Sequence, residues 1–271
     1  MAAVDYEVEY NNRARVPENP TLMDGWARDS AAYREQHAPR RITYGAGARH
    51  TVDLFAGDNH GPIVVFIHGG YWRALDGSFV SHCARGLNAH GVDVAIPSHD
   101  LCPQVSLDDI IGQMRAATRD LARLGRPLVV SGHSAGGHLA ACMLATDWTS
   151  LDPALPKDLV MAAYTISGLF DLVPLVETSI NEPLHLDQDT AKAASPLFWK
   201  PPAHGSLDAV VGEAESAEYF RQSRTIVEAW GAAGVTTAFG TVAGANHFTA
   251  IAPLADPDSE MVKRLKQLAR R

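Results

Sequence analysis

The sequence predicts an α/β fold, with a mostly parallel central sheet and helices on both of its faces. Three observations predict it. Short apolar, β-branched runs alternate with helix-forming stretches, as they do where parallel strands are joined by crossover helices. The length, 271 residues, suits one domain large enough to bury a substantial core. Hydrophobic residues make up 46% of the chain and charged residues 20%, the ordinary balance of a globular protein. No internal repeat or low-complexity linker interrupts the chain, so residues 1–271 read as a single domain.

The elements follow in order. Residues 20–38 (PTLMDGWARDSAAYREQHA) look helical and precede the first strand. Strands are expected over 51–55, 63–67 and 92–96, with a helix over 78–90 before the third. A helix over 107–124 leads to a strand over 128–131 and a helix over 137–146 built from good helix formers. Strands over 160–166, 208–211 and 236–242 complete the sheet, the last two separated by a helix over 217–233. Residues 172–203 mix apolar residues with Pro and fit no layer of the sheet. Together with residues 20–38 they are candidate cap elements over a site. The basic end, KRLKQLARR, reads as an amphipathic closing helix rather than a binding tail.

Charge and cysteine usage narrow the function classes. With 23 basic and 31 acidic residues, the net charge is −8. No basic stripe offers to offset phosphate charge, so neither nucleic acid nor an anionic membrane is an expected partner. No run approaches the roughly 18 apolar residues of a membrane span. Residues 1–12, MAAVDYEVEYNN, are polar and acidic and do not read as a secretory signal. Cys83, Cys102 and Cys142 show no CxxC spacing, which argues for a reducing compartment, the cytoplasm. His133 and His138 are five apart, not the i, i+4 of a helical metal pair, and no phosphate-binding glycine motif appears. Neither metal nor cofactor is expected.

The chemistry is concentrated at two loops. The apolar run PLVVS (127–131) leads into Gly132-His133-Ser134-Ala135-Gly136, and a helical pattern follows. This places G-x-S-x-G at a strand-to-helix corner, where glycines permit a turn that a Cβ would block. The turn lifts Ser134 to where a base can reach it, the arrangement of a nucleophile elbow. The second loop follows PIVVFI (62–67) and reads His68-Gly69-Gly70-Tyr71-Trp72. Backbone N–H groups in such a loop can hold the oxygen of a carbonyl as it becomes an oxyanion. The expected donors are the amides of Gly70, Tyr71 and Ala135.

A nucleophilic serine needs a base and an acid later in the chain. His247, in Gly244-Ala245-Asn246-His247-Phe248, follows the last strand and is the expected base; His204 precedes a strand and lies on the wrong side. Glu213, Glu215 and Glu218 follow the penultimate strand. Glu215 stands on the loop proper and is the preferred acid, with Asp171, after the strand over 160–166, as its main rival. Tyr71, Trp72 and Phe248 flank this site and are candidate substrate-binding aromatics.

These segments resemble the α/β-hydrolases related to hormone-sensitive lipase, and within them the kynurenine formamidase (arylformamidase) branch. The resemblance rests on His68-Gly69-Gly70-Tyr71-Trp72, on Gly132-His133-Ser134-Ala135-Gly136-Gly137-His138-Leu139 and on Ser167-Gly168-Leu169-Phe170-Asp171-Leu172. It extends to Glu215 through Ser223 (ESAEYFRQS), to Asn246-His247-Phe248 and to the early Tyr10-Asn11-Asn12-Arg13. Glu215 departs from the branch, where Asp is usual. The resemblance implies an α/β-hydrolase fold and a Ser134–His247–Glu215 serine hydrolase of tryptophan catabolism, releasing formate from N-formyl-kynurenine. The expected partner is a small acyl amide or ester, and a homodimer is compatible with this reading. Two alternatives remain: a carboxylesterase for short acyl esters, and a catalytically silent ligand-binding protein on the same fold.

Overall fold

The computed structural model describes residues 4–58 and 60–270. Met1–Ala3 of the polar N-terminal stretch and Arg271 of the basic end therefore lie outside the described residues. Eight strands form one sheet: β1 (Arg40–Thr43), β2 (Thr51–Phe55), β3 (Ile63–Ile67), β4 (Val94–Pro97), β5 (Leu128–His133), β6 (Val160–Ile166), β7 (Ser206–Gly212) and β8 (Thr236–Val242). Their order is β1-β2-β4-β3-β5-β6-β7-β8. β2 is antiparallel to β1 and β4, and the six strands from β3 to β8 are mutually parallel.

The central strands are continuous apolar runs because both of their faces are covered. All five residues of β3 are buried, and their side chains alternate between two cores. Ile63, Val65 and Ile67 enter one, with the helices Leu107–Ala122, Ala135–Ala145 and Ala217–Ala232. Val64 and Phe66 enter the other, with Tyr33 of the helix Asn19–Gln36 and with Met261, Val262 and Leu265 of the helix Glu260–Leu268. The closing helix is thus amphipathic and docked, as its sequence predicts.

Three departures from the sequence reading have simple causes. β1 is a polar, mostly exposed edge strand (RRIT) held by backbone pairing and by the ion pair of Arg41 with Asp53 of β2, so no apolar run announces it. The helical pattern over 78–90 becomes a 3-10 segment, Gly77–Ala84, followed by one α turn, Arg85–Asn88. Two short helices, Tyr6–Tyr10 and Asn12–Arg15, precede the rest; each is capped by a side chain, Asp5 and Asn11. Helices this short have almost no intrinsic stability and are held by what they dock against. The loops after β3, β5, β6, β7 and β8 all leave the same edge of the parallel sheet, where open α/β folds place their sites.

Candidate active site

Ser134 sits between β5 and the helix Ala135–Ala145 with φ 57° and ψ −119°. A non-glycine residue there is strained by about 1–3 kcal/mol, and the surrounding turn must hold it. The turn does so by close backbone approach. A Cβ on Gly132 would lie 2.2 Å from the Gly136 carbonyl oxygen, and one on Gly136 would lie 2.0 Å from that of Ile67. The Ser134 N–H donates to Ile166 O at 2.8 Å. Ser134 is 2% exposed, so it meets solvent through a cavity and not on an open surface.

His247 lines the same cavity. Its Nδ1 lies 2.6 Å from Glu215 Oε2. A carboxylate accepts, so Nδ1 carries the proton and Nε2 keeps the lone pair that a base needs. The other oxygen, Oε1, accepts from Ser167 Oγ at 2.5 Å and from the Gly212 N–H at 2.8 Å. The Glu215 side chain is wholly buried, and these three donors offset the loss of water around its charge. The rival carboxylates are engaged elsewhere. Asp171 accepts from Arg221 Nη1 and the Val173 N–H, Glu213 from Thr241 Oγ1 and the Gly244 N–H, and Glu218 from Tyr10 Oη and Arg221 Nε.

The glycine loop after β3 lies against the elbow. A Cβ on Gly69 would come 3.1 Å from Ser134 Cβ. Gly70 has φ 104°, and Tyr71 and Trp72 follow with φ 49° and 55°. His68 Nδ1 donates to Gly69 O at 2.8 Å. In a trans peptide the next N–H, that of Gly70, then points the opposite way. Among the described residues the amides of Gly70, Tyr71 and Ala135 have no protein acceptor. Three unpartnered donors therefore lie on the two loops that meet at Ser134.

Some of the site was not legible from motifs. His133, inside the elbow, packs its ring 4.7 Å from that of His247. Its Nε2–H donates to the His247 carbonyl at 2.8 Å. Burial, then the neighbouring His247, holds its pKa well below the ordinary histidine value, so it stays neutral. Tyr219 also packs its ring 4.6 Å from that of His247. Its hydroxyl bonds that of Tyr71 at 2.7 Å and accepts from Asn12 Nδ2 at 2.8 Å. The Tyr71 hydroxyl donates to Tyr10 O at 2.7 Å. The two N-terminal helices are thereby tied to both the glycine loop and the base. The motif at Tyr10–Arg13 hinted at this segment but gave it no role.

The cavity measures about 150 Å³. Tyr71 and Phe248 line it, as the sequence suggests, and Trp26 joins them. Trp72 does not. It is 0% exposed and packs edge-on against His138, their rings 5.0 Å apart. The substrate-binding expectation for Trp72 is corrected: the turn at Tyr71 sends the next side chain down into the core. Both candidate cap segments reach the cavity wall, through Met23 and Trp26 and through Ser179 and Ile180.

A family model for the alpha/beta hydrolases matches residues 64–267. The chain belongs to the alpha/beta hydrolase family. This hydrolase is similar to the kynurenine formamidase of Danio rerio, 30% identical over 238 residues that cover 84% of this chain and 80% of the relative. It is similar to that of Drosophila melanogaster at 28%, with the same coverage. A crystal structure of a Silicibacter sp. TM1040 protein is 35% identical, superposes with a TM-score of 0.83 and covers 96% of this chain and 98% of its own. A Pyrobaculum calidifontis esterase, 17% identical with a TM-score of 0.72 and 93% of both chains covered, shares the fold.

Proposed function

We propose that this hydrolase cleaves a small acyl group from an aryl amide, with N-formyl-kynurenine as substrate and kynurenine and formate as products. The observation that carries the chemistry is the buried Glu215–His247 bond of 2.6 Å beside the strained Ser134, in one cavity. The substrate is supported by the similarity to kynurenine formamidases over 84% of the chain.

In the first step His247 Nε2 takes the proton of Ser134 Oγ as the oxygen attacks the formyl carbon. The carbonyl oxygen gains the negative charge, and the amides of Gly70, Tyr71 and Ala135 hold it. Glu215 keeps the imidazole in the required tautomer and stabilises its cation. The C–N bond breaks as His247 passes the proton to the leaving aryl amine. Water then attacks the formyl-serine ester, giving its proton to His247. Formate leaves and Ser134 recovers its proton. Tyr71, Phe248 and Trp26 offer faces and edges to an aromatic leaving group.

The same machinery would cleave short acyl esters, which keeps a carboxylesterase as the alternative reading. Three buried free cysteines suit the reducing cytoplasm as its place of work. The deciding experiment is hydrolysis of N-formyl-kynurenine, formanilide and a C2 to C8 series of p-nitrophenyl esters. Cleavage of the formamide and a steep fall of kcat/KM with chain length are expected, each added methylene costing about 1 kcal/mol or more of fit. A flat or rising ester profile without formamide cleavage would overturn the formamidase reading.

A further inference from the structure

Two arginines, Arg13 and Arg73, are among the residues that line the catalytic cavity. Both residues are exposed. Among the described residues neither side chain has a carboxylate within ion-pair distance. Among the described residues, Glu7 is the one acidic residue lining the cavity. It is already committed, accepting from the N–H and the hydroxyl of Ser179 at 2.7 Å each. The same two bonds lower its pKa and keep it ionised. A chain of net charge −8 thus carries, among the described residues, two cations without a carboxylate partner at the catalytic cavity.

Their carriers are fixed to one another. Arg13 belongs to the helix Asn12–Arg15 and Arg73 to the turn after the glycine loop, closed by the Arg73 N–H on Gly70 O at 3.1 Å. The Tyr71 hydroxyl, between them, donates to Tyr10 O and accepts from Asn12 Nδ2. On the far side Arg49 donates to Leu75 O and to His99 O, which anchors the end of that turn. The long side chains can adjust while their backbones stay put. A planar guanidinium matches a carboxylate with two parallel N–H donors.

We propose that Arg13 and Arg73 receive a carboxylate on the leaving-group side of the substrate. This rests on the hydrolase reading of the cavity and deepens it by assigning the residues that hold the acid side chain of an acylated aryl amine or phenol. The two residues bind and steer; neither reaches the reacting carbonyl. Their field also raises the encounter rate of an anion over a neutral molecule, an effect that salt screens.

The test compares matched substrates that differ only in charge. One pair is N-formyl-kynurenine and its decarboxylated analogue. The other is 3-(4-acetoxyphenyl)propanoate and its primary amide, which needs no formamidase activity. In the native enzyme kcat/KM should favour the carboxylate at least tenfold within each pair, and the preference should shrink between 20 and 300 mM salt. In Arg13→Gln/Arg73→Gln the preference should fall at least tenfold, mostly through KM. Arg123→Gln, an exposed charge change outside the cavity, controls for the net field and should keep the native preference. A native enzyme that does not prefer the carboxylate, or a double variant that keeps the preference, would overturn the proposal. If both formamides resist cleavage while the ester pair still selects the carboxylate, the formyl assignment fails and the carboxylate site stands.

Discussion

Ser134 combines three properties that the same residue on a surface loop would lack: a strained backbone, burial and a cavity in front of it. Ser134→Ala should fold normally and retain well under a thousandth of native turnover, since loss of a triad nucleophile costs many orders of magnitude. Retention of a tenth would contradict the assigned role. Glu215→Gln should lower kcat by about 10³–10⁴-fold, because an amide can present its N–H to Nδ1 and favour the wrong tautomer. Asp171→Asn and Glu213→Gln should not approach this, as neither carboxylate meets His247. Steady-state kinetics on the three variants decides the acid. His133→Ala removes the bond to the His247 carbonyl and should lower kcat more than it raises KM, with partial recovery in His133→Gln. At this scale the sequence showed what motif and chain order dictate: the serine, the histidine, the glycine loop and a preferred glutamate. It could not show Ser167 or His133 as partners, because their roles arise from contacts 48 and 114 residues away along the chain.

The elements divide into those that advertise themselves and those that lean on others. β2, β3, β6 and β8 begin and end where their apolar or alternating patterns do. β1 and the two N-terminal helices carry no such pattern, since exposed backbone pairing and docked side chains hold them. The elbow is the element least tolerant of change. Gly132→Ala or Gly136→Ala would drive a methyl into backbone at 2.2 or 2.0 Å, and loss of soluble, folded protein is the expected result. Gly112 is the opposite case. It is exposed in the helix Leu107–Ala122, with no atom within 4 Å of an added Cβ. Gly112→Ala should stabilise the protein by about 0.5–1 kcal/mol and raise Tm, because Ala loses less backbone freedom in a helix. Thermal denaturation of these variants reads both outcomes. Tyr219→Phe removes the hydroxyl shared by Asn12 and Tyr71 and should cost about 1 kcal/mol in the same measurement.

Among the described residues, five histidines are buried and neutral. Burial is the leading cause in each: it lowers His68, His82 and His138 to about 4 and His99 to about 3, and His133 falls well below its ordinary value. In the unfolded chain each titrates near 6.5. Between that value and the folded one the unfolded state binds more protons, so stability falls as pH drops from about 6.5 toward 4. Each histidine adds a slope of up to about 1.4 kcal/mol per pH unit. Denaturant midpoints should hold near pH 7–8 and decline steeply below 6; a flat profile from pH 7 to 4.5 would refute this. None of these shifts is visible in the sequence, because composition counts histidines without placing them. The parallel sheet and its two helical layers were readable, since their physics is local pattern repeated many times. One consequence reaches past this chain. The family model matches from residue 64 onward, yet Tyr10, Arg13 and Trp26 lie before it and wall the cavity. Part of the cavity wall thus comes from a stretch of chain that precedes every catalytic residue. That stretch can be rewritten without touching Ser134, Glu215 or His247, and exchanging residues 4–36 between relatives should shift substrate preference without abolishing hydrolysis.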